Sequence, residues 1–184
     1  MITLGIIVAV IAVIVLWAVG VYNSIIRLKQ NVENGWSQID VQLKRRHDLI
    51  PNLVETAKGY MDHERTTLEN VIKARQQAVD ASGIKSKQAA ENFLTSTLRS
   101  LFAVSENYPN LKADQQMLKI QEELTSTENK IAFARQYYND EAARFNTTIQ
   151  TVPNNIIAGT AGVKNYDFFE LEDKAQKEAP QVKF

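Results

Sequence analysis

The chain opens with a run of almost wholly apolar residues from Ile2 to Val21, and its first charged side chain is Arg27. At a rise of about 1.5 Å per residue, a helix of this length spans roughly the 30 Å hydrocarbon core of a bilayer. A cleaved signal peptide is the alternative, but it would carry a basic start and a shorter apolar core, which are missing here. The pattern therefore predicts a retained transmembrane anchor over residues 1–22.

Beyond the anchor, apolar positions recur at a mean spacing of about 3.6 residues, the α-helical period. The positions are Ile25, Leu28, Val32, Trp36, Ile39, Leu43, His47, Ile50, Val54, Ala57 and Met61. This stripe predicts one long amphipathic helix that continues from the anchor and ends near Gly59. Because the pattern passes through Asp62 almost unbroken, two interpretations are open: a single very long helix, or a second helix with Asp62 as its N-cap.

Three further helices are predicted from the remaining pattern. The second helix stops at Gly83 and presents Leu68, Ile72, Arg75 and Val79 on one face. The third runs from about Ser86 to Asn107 and is expected to bury Ala90, Phe93, Leu94, Leu98, Leu101 and Phe102. After the break at "NYPN", Asn110 is the predicted cap of a fourth helix. Its seam repeats every seven residues, at Met117, Leu124, Ile131, Tyr138 and Phe145.

These elements predict an all-α fold, in which the N-terminal transmembrane helix is followed by an antiparallel four-helix bundle of long amphipathic helices over residues 23–151. After Thr151 the helical pattern ends. Residues 152–184 hold two of the four prolines and form a predicted C-terminal tail that packs on the bundle.

Basic residues orient the predicted anchor. None precedes the apolar run, whereas Arg27 and Lys29 follow it closely. The positive-inside rule then places a short N-terminus outside and the C-terminal domain in the cytoplasm, as a single-pass protein of the cell membrane. The lipid bilayer is therefore the first expected partner.

The composition argues against several classes of function. The formal net charge is zero and there is no cysteine, which disfavours nucleic-acid binding and excludes thiolate chemistry and disulfides. Neither His47 nor His63 follows a glutamate by three residues, and "HERTT" lacks the second histidine of a zinc-protease motif. Glycine-rich phosphate loops and G-x-S-x-G are also missing. We expect no enzyme activity, metal, cofactor or small-molecule substrate.

Pro51 interrupts the donor pattern of the first predicted helix. It has no N–H for the carbonyl four residues back, which belongs to His47. A new helix starting at Pro51 would have Ile50 as a poor N-cap, so a continuous but kinked helix is favoured. His47 then lies on the buried stripe as a packing residue, and His63 lies in a turn or in the first turn of the next helix, solvated. The basic triplet Lys44–Arg46 is expected to pair with acidic residues of another helix or subunit.

Three long motifs resemble the LemA family of bacterial membrane proteins. They are "NGWSQIDVQLKRRHDLIPNLVETAKGYMDHE", "ENKIAFARQYYNDEAARFN" from Glu128, and "VPNNIIAGTAGVKNYDFFE" from Val152. The resemblance implies a single-pass protein with a cytoplasmic helical bundle and no established enzymatic activity; some members belong to bacterial membrane-organelle gene sets. It supplies no catalytic residues.

Two functional hypotheses follow. The first is a membrane-anchored scaffold that self-associates into a homo-oligomer. Its candidate interaction or packing residues are Trp36, Asp40, Arg45, Arg46, His47, Pro51, Asn129, Arg135, Tyr137 and Asn139. Internal helix-to-helix hydrogen bonding is an equally weighted explanation for these polar and aromatic positions.

The second hypothesis is an adaptor of another membrane complex, such as a protease or transport machine. It would dock through the tail at Phe168 and Phe169, although these side chains are more simply explained as covering the bundle. A hydrolase or metalloenzyme is the least favoured class.

Overall fold

A computed structural model describes residues 1–61 and 63–169, and within these ranges the chain is all-helical, with no strand. The helices are α1 (Ile2–Lys58), α2 (Arg65–Asp80), α3 (Ile84–Ser105), α4 (Pro109–Lys112), α5 (Gln115–Gln150) and α6 (Asn154–Thr160). The predicted fold class, all-helical with a long apolar helix at the N-terminus, is confirmed.

The first part of α1 is apolar on every side and exposed. Ile6 and Ile14, for example, are 59% and 55% exposed. Among the described residues, α1 is the one helix long and apolar enough to cross a membrane. The described part of the chain buries none of this segment, whereas large apolar side chains are normally removed from water. An exposed apolar helix of this length fits a membrane protein.

The described residues divide into two compact units, and α1 and α5 contribute residues to both. The first unit consists of Met1–Asp40 and Ala132–Phe168. Its buried apolar residues are Ile25, Val32, Ile39, Ala134, Tyr138, Ala142, Phe145, Ile149 and Ala158. Gly35 lets α1 approach α5 closely here. A Cβ atom at this position would lie 3.2 Å from the Cα of Tyr138 and 3.3 Å from the ring of Tyr137.

The second unit contains Val41–Ile131 and has one hydrophobic core. Most of that core comes from α1, α2, α3 and the first turns of α5. The core residues are Ile50, Leu53, Val54, Ala57, Met61, Leu68, Val71, Ala74, Ala78, Leu94, Leu98, Leu101, Leu111, Met117, Ile120 and Leu124. The short helix α4 adds Leu111 from the connection between α3 and α5.

The predicted stripe on α1 and the seven-residue seam on α5 are confirmed. Every position of the stripe is buried except Leu28 and Trp36, which are partly buried, and all five positions of the seam are buried. The structure also separates α1 from α2, so the two-helix interpretation is correct. Glu64 is the N-cap residue of α2, and the predicted cap Asp62 lies outside the described residues.

The predicted faces of α2 and α3 are partly wrong. Ile72 and Val79 are 46% and 47% exposed, and α2 instead buries Leu68, Val71, Ala74 and Ala78. Both stripes have helical spacing, but the alanine-containing face allows a closer approach of α3, against which α2 packs. On α3, Phe93 is 49% exposed, because it lies one position away from the buried row that contains Leu94, Leu98 and Leu101.

The start of the last long helix also differs from the prediction. Asn110 does not cap it, because Pro109 at the first helical position begins the separate short helix α4. Asp114 provides the cap of α5 instead: the backbone N–H of Met117 donates to its Oδ1 at 2.9 Å. This hydrogen bond, followed by one from the Tyr60 hydroxyl, lowers the pKa of Asp114. Helix α6, inside the predicted tail, was not anticipated.

α1 continues through Pro51 as one helix. The carbonyl of His47, which loses its usual donor at Pro51, accepts a hydrogen bond from Nε of Arg75 on α2 at 2.7 Å. A charged guanidinium therefore replaces the missing backbone N–H. The proline in α1 thereby leaves free the carbonyl to which α2 binds through Arg75.

A double-mutant cycle tests this replacement. Arg75→Met should lower the free energy of unfolding by about 1–3 kcal/mol, because the His47 carbonyl loses its donor. In a Pro51→Ala background the alanine introduces a backbone N–H that can bond the same carbonyl, so the loss from Arg75→Met should be smaller by at least about 0.5 kcal/mol. Denaturation of the detergent-solubilised chain followed by circular dichroism measures both losses. Arg65→Met, at an exposed position of α2, is the control, and equal losses in both backgrounds would refute the idea.

Candidate functional site

A buried group of ionisable residues lies in the second unit and is referred to here as the ion cluster: Arg46 and His47 of α1 with Glu91 of α3. Their exposed fractions are 3%, 7% and 1%. His47 Nε2 lies 2.6 Å from Glu91 Oε1, and Arg46 Nη1 lies 3.3 Å from Glu91 Oε2. Each carboxylate oxygen of Glu91 therefore has its own donor.

Two further side chains complete the surroundings of Arg46. Its Nη1 lies 3.4 Å from Glu128 Oε2 on α5, and its Nη2 donates to Thr95 Oγ1 at 2.7 Å. The Thr95 hydroxyl in turn donates to the backbone carbonyl of Glu91 at 3.0 Å. Arg46 thus joins α1, α3 and α5 at one point, and charges buried in this way are tolerated because they are paired and hydrogen-bonded.

The helical pattern explains why these residues meet. His47 lies on the buried stripe of α1, and Arg46 lies three residues after Leu43 and four before Ile50, so it also faces the interior. Glu91 lies three residues before Leu94 and seven before Leu98, so it belongs to the buried row of α3. Sequence reasoning identified Arg46 and His47 but missed Glu91. A charged residue in phase with a leucine row was the available signal.

A cleft of about 460 Å³ opens beside Arg46 in the second unit. It is lined by Arg46, Thr95, Leu98, Arg99, Phe102, Glu106, Gln121, Leu124, Thr125, Glu128 and Asn129. Its size is that of a small-molecule site, but its charged lining consists of two arginines and two glutamates. Because Arg46 is already bound to Glu91 and Glu128, the cleft offers no strong excess of either charge to an ionic ligand.

A second polar and aromatic set lies in the first unit. Trp36 packs edge-on against Tyr138, with ring centroids 5.8 Å apart, and Asn31 Nδ2 donates to Glu141 at 3.2 Å. The Tyr138 hydroxyl donates to the carbonyl of Asp167 at 2.9 Å. These contacts hold α1 against α5 and also bind residues near the end of the described chain to α5.

Asn146 attaches the tail to α5. Its Nδ2 donates to the carbonyl of Tyr166, and its Oδ1 accepts from the backbone N–H of Tyr166, both at 2.9 Å. The ring of Tyr166 also packs edge-on against Phe145 at 5.2 Å. A side-chain amide therefore imitates a backbone partner for an extended segment. Asn146 was not among the predicted site residues, although it lies inside a motif that the sequence singled out.

The structure distributes the predicted interaction residues among several environments. Arg46 and His47 meet in the ion cluster, and Arg46 and Asn129 line the same cleft. Exposed positions are Arg45, Pro51, Asn129, Tyr137 and Phe168, partly buried ones are Trp36, Asp40, Arg135 and Asn139, and Phe169 is buried. The predicted set is therefore not one surface.

The described side chains do not form a metal site. Across residues 1–61 and 63–169, no three side chains of His, Asp or Glu are grouped as a metal site would need. His63 is exposed in the turn before α2, where the sequence placed it. The carboxylate of Glu91 is occupied by two donors, so the ion cluster has the features of a structural clamp between helices.

Comparison with known proteins gives a consistent result. The model described as the LemA family matches residues 35–184. Protein LemA of Metamycoplasma hominis is 25% identical over 156 residues, covering 84% of this chain and 71% of that protein. Magnetosome protein MamQ 2 of Paramagnetospirillum magneticum is 23% identical over 175 residues, covering 81% of this chain and 64% of that protein. Magnetosome protein MamQ of Magnetospirillum gryphiswaldense is 22% identical over 174 residues, covering 80% and 64% respectively. The match therefore spans less than two thirds of the magnetosome relatives.

Removing one partner of the ion cluster should be far more damaging than removing the exposed one. Glu91→Ala removes the hydrogen-bond partner of His47 and leaves the buried Arg46 with only the half-exposed Glu128 as counter-charge, so it should lower the free energy of unfolding by about 3 kcal/mol. Glu128→Ala, at a side chain that is 46% exposed, should cost less than about 1 kcal/mol. Replacing the whole cluster by Met, Leu and Leu should be close to neutral. Chemical denaturation measures all three, and similar losses for Glu91→Ala and Glu128→Ala would contradict the assignment.

Tyr138 gives the first unit a specific dependence on high pH. Burial, with the nearby Tyr166 and Asp167, raises the pKa of Tyr138 from 10.0 to about 12. The fold therefore favours the neutral phenol, so this contribution is complete below pH 10 and is lost as the pH rises through about 12. Relative to Tyr138→Phe, the wild-type protein should lose about 2 kcal/mol of stability over that range. Parallel pH dependences of the two proteins in denaturation experiments would show that Tyr138 does not contribute in this way.

Proposed function

Because the chain belongs to the LemA family, whose model matches residues 35–184, we propose that it is a non-enzymatic, membrane-anchored scaffold that self-associates. The proposed anchor is residues 1–22, followed by an antiparallel helical bundle over residues 23–151 and a tail that packs on it. In the proposed topology the short N-terminus is outside the cell membrane and the bundle lies in the cytoplasm, because the basic residues follow the apolar run.

The observation that carries this proposal is the continuity of α1. One helix contains both the exposed apolar segment and the buried stripe that begins at Ile25. Within the first unit, the packed part of α1 therefore follows the proposed membrane span directly, with no loop between the two. The ion cluster supports the non-enzymatic part of the proposal, because its carboxylate is consumed by helix-to-helix pairing.

The surface proposed for self-association is a pair of aromatic side chains on α5. Phe133 is 72% exposed and Tyr137 is 39% exposed, and a spacing of four residues puts them on one face of the helix. Aromatic residues of this kind are enriched in protein interfaces. A second copy is the proposed occupant, because anchoring confines all copies to one plane in the same orientation and so raises their effective concentration.

The alternative function is an adaptor that docks another membrane protein through the tail. The observation in its favour is that Phe168 is 45% exposed, while the adjacent Phe169 is buried. Phe169 would then fix the segment and Phe168 would contact the partner. Residues 170–184 of the predicted docking segment lie outside the described residues.

Crosslinking between copies tests the scaffold proposal, and the chain has no cysteine of its own. Phe133→Cys should give dimers with a short bis-maleimide in intact membranes, because copies would meet at this face. Phe93→Cys, at another exposed aromatic position, 49% exposed on α3, is the control and should react with a monofunctional maleimide without forming dimers.

Absence of Phe133→Cys dimers, together with a monomeric mass in detergent by light scattering, would rule out self-association at this face. If Phe168→Cys then crosslinked to a different membrane protein, the adaptor would be favoured.

A further inference from the structure

The end of α5 and the short helix α6 form an uncharged region of the chain. No side chain between Arg144 and Lys164 carries a charge. Two apolar side chains in this region are strongly exposed: Val152 is 79% exposed and Ile156 is 63% exposed. A water-facing loop usually carries charged or small polar residues, so this exposure requires an explanation.

The location of this region beside α1 supplies an explanation for the exposure. A pocket of about 310 Å³ is lined by Trp17, Gly20, Val21 and Ser24 of α1, together with Thr148 and Asn154. The last turns of α5 and the start of α6 therefore lie beside the part of α1 where the apolar run ends, at Val21. If that run spans the bilayer, this is the depth at which hydrocarbon gives way to lipid headgroups.

We infer that residues 151–160, the interfacial segment, lie in the headgroup layer of the membrane, with Val152 and Ile156 inserted among the lipid chains. This inference rests on the proposed membrane span of α1. It adds a second point of membrane contact, far from α1 in sequence, so that the first unit is attached to the bilayer through two elements.

The chemistry of the interfacial segment suits such a place. Charged groups are costly near hydrocarbon, and none is present. Several of its backbone groups are paired locally: the N–H of Asn155 bonds the carbonyl of Thr151 at 2.9 Å, and the N–H of Ala161 bonds that of Ile157 at 3.0 Å. Gly162, with φ of +64°, closes the helix in the left-handed region. Trp17 is of the residue type that concentrates at the edge of the hydrocarbon layer.

Lipid is a better occupant than a second protein, because the pocket beside the interfacial segment is continuous with the exposed apolar run of α1. Trp17 and Val21, which line the pocket beside the interfacial segment, belong to the same apolar run, most of whose side chains the described chain leaves exposed. An occupant that covers that run on all sides also reaches Val152 and Ile156. A protein partner would instead cover one side of α1.

Spin labels placed in the full chain test the inference. In vesicles of phosphatidylcholine and phosphatidylglycerol, labels at Val152→Cys and Ile156→Cys should collide several-fold more often with oxygen than with a water-soluble nickel chelate. Val10→Cys in the apolar run of α1 should behave likewise. Ile72→Cys, at an exposed apolar position of α2, is the matched control and should favour the nickel chelate.

The outcomes separate the two proposals. If Val10→Cys also favours the nickel chelate, the membrane span fails and the inference fails with it. If Val10→Cys reports lipid but Val152→Cys and Ile156→Cys behave like Ile72→Cys, the span stands and the interfacial segment is wrong. Low collision rates with both reagents and dipolar broadening at Val152→Cys would show that a second copy covers the segment, which also overturns the inference.

Discussion

The N–H that Pro51 lacks is the constraint around which α1 is organised. A backbone carbonyl that packing removes from water needs a donor, and the carbonyl of His47 has none from its own helix. Arg75 of α2 supplies the donor at 2.7 Å, so the helix continues without interruption. Because the donor comes from another element, the continuity of α1 depends on the packing of the second unit. The hydrogen bond missing within α1 is thus replaced by a specific contact between α1 and α2.

The ion cluster follows the same logic one turn away. Arg46 and His47 face the interior because the stripe of α1 requires that side to be buried, and Glu91 of α3 satisfies both. Burying these charges gains little net stability over an apolar core. The buried charges do destabilise incorrect pairings of the helices, since any shift of α3 along α1 would leave at least one charge without a partner. The cluster therefore fixes the register of the two helices more than it strengthens their association.

The sequence anticipated those features that depend on long periodic patterns. The stripe from Ile25 to Met61 and the seam from Met117 to Phe145 repeat over many turns, so only one burial phase fits them. α2 is too short for that test: the face with Ile72 and the face with Val71 have equal spacing, and only packing against α3 distinguishes them. The Asp114 cap was missed because the sequence placed the cap at Asn110. Pro109 instead begins the separate short helix α4 at that point, and the long helix α5 starts only after Asp114. Glu91 was missed because pairing between distant helices has no signature in local spacing.

For the proposed function, the key property is that α1 carries the apolar segment and the packed residues that follow it in one continuous helix. The most direct measurement is the distance between spin labels at Tyr22→Cys and Ser37→Cys, two exposed positions of α1, in the membrane-embedded protein. A continuous helix places these Cα atoms about 22 Å apart, from a rise of about 1.5 Å per residue. We predict a single narrow distance distribution around that value. A broad distribution, or a distinctly shorter distance, would show a joint between the apolar segment and the packed helix and would contradict a rigid α1.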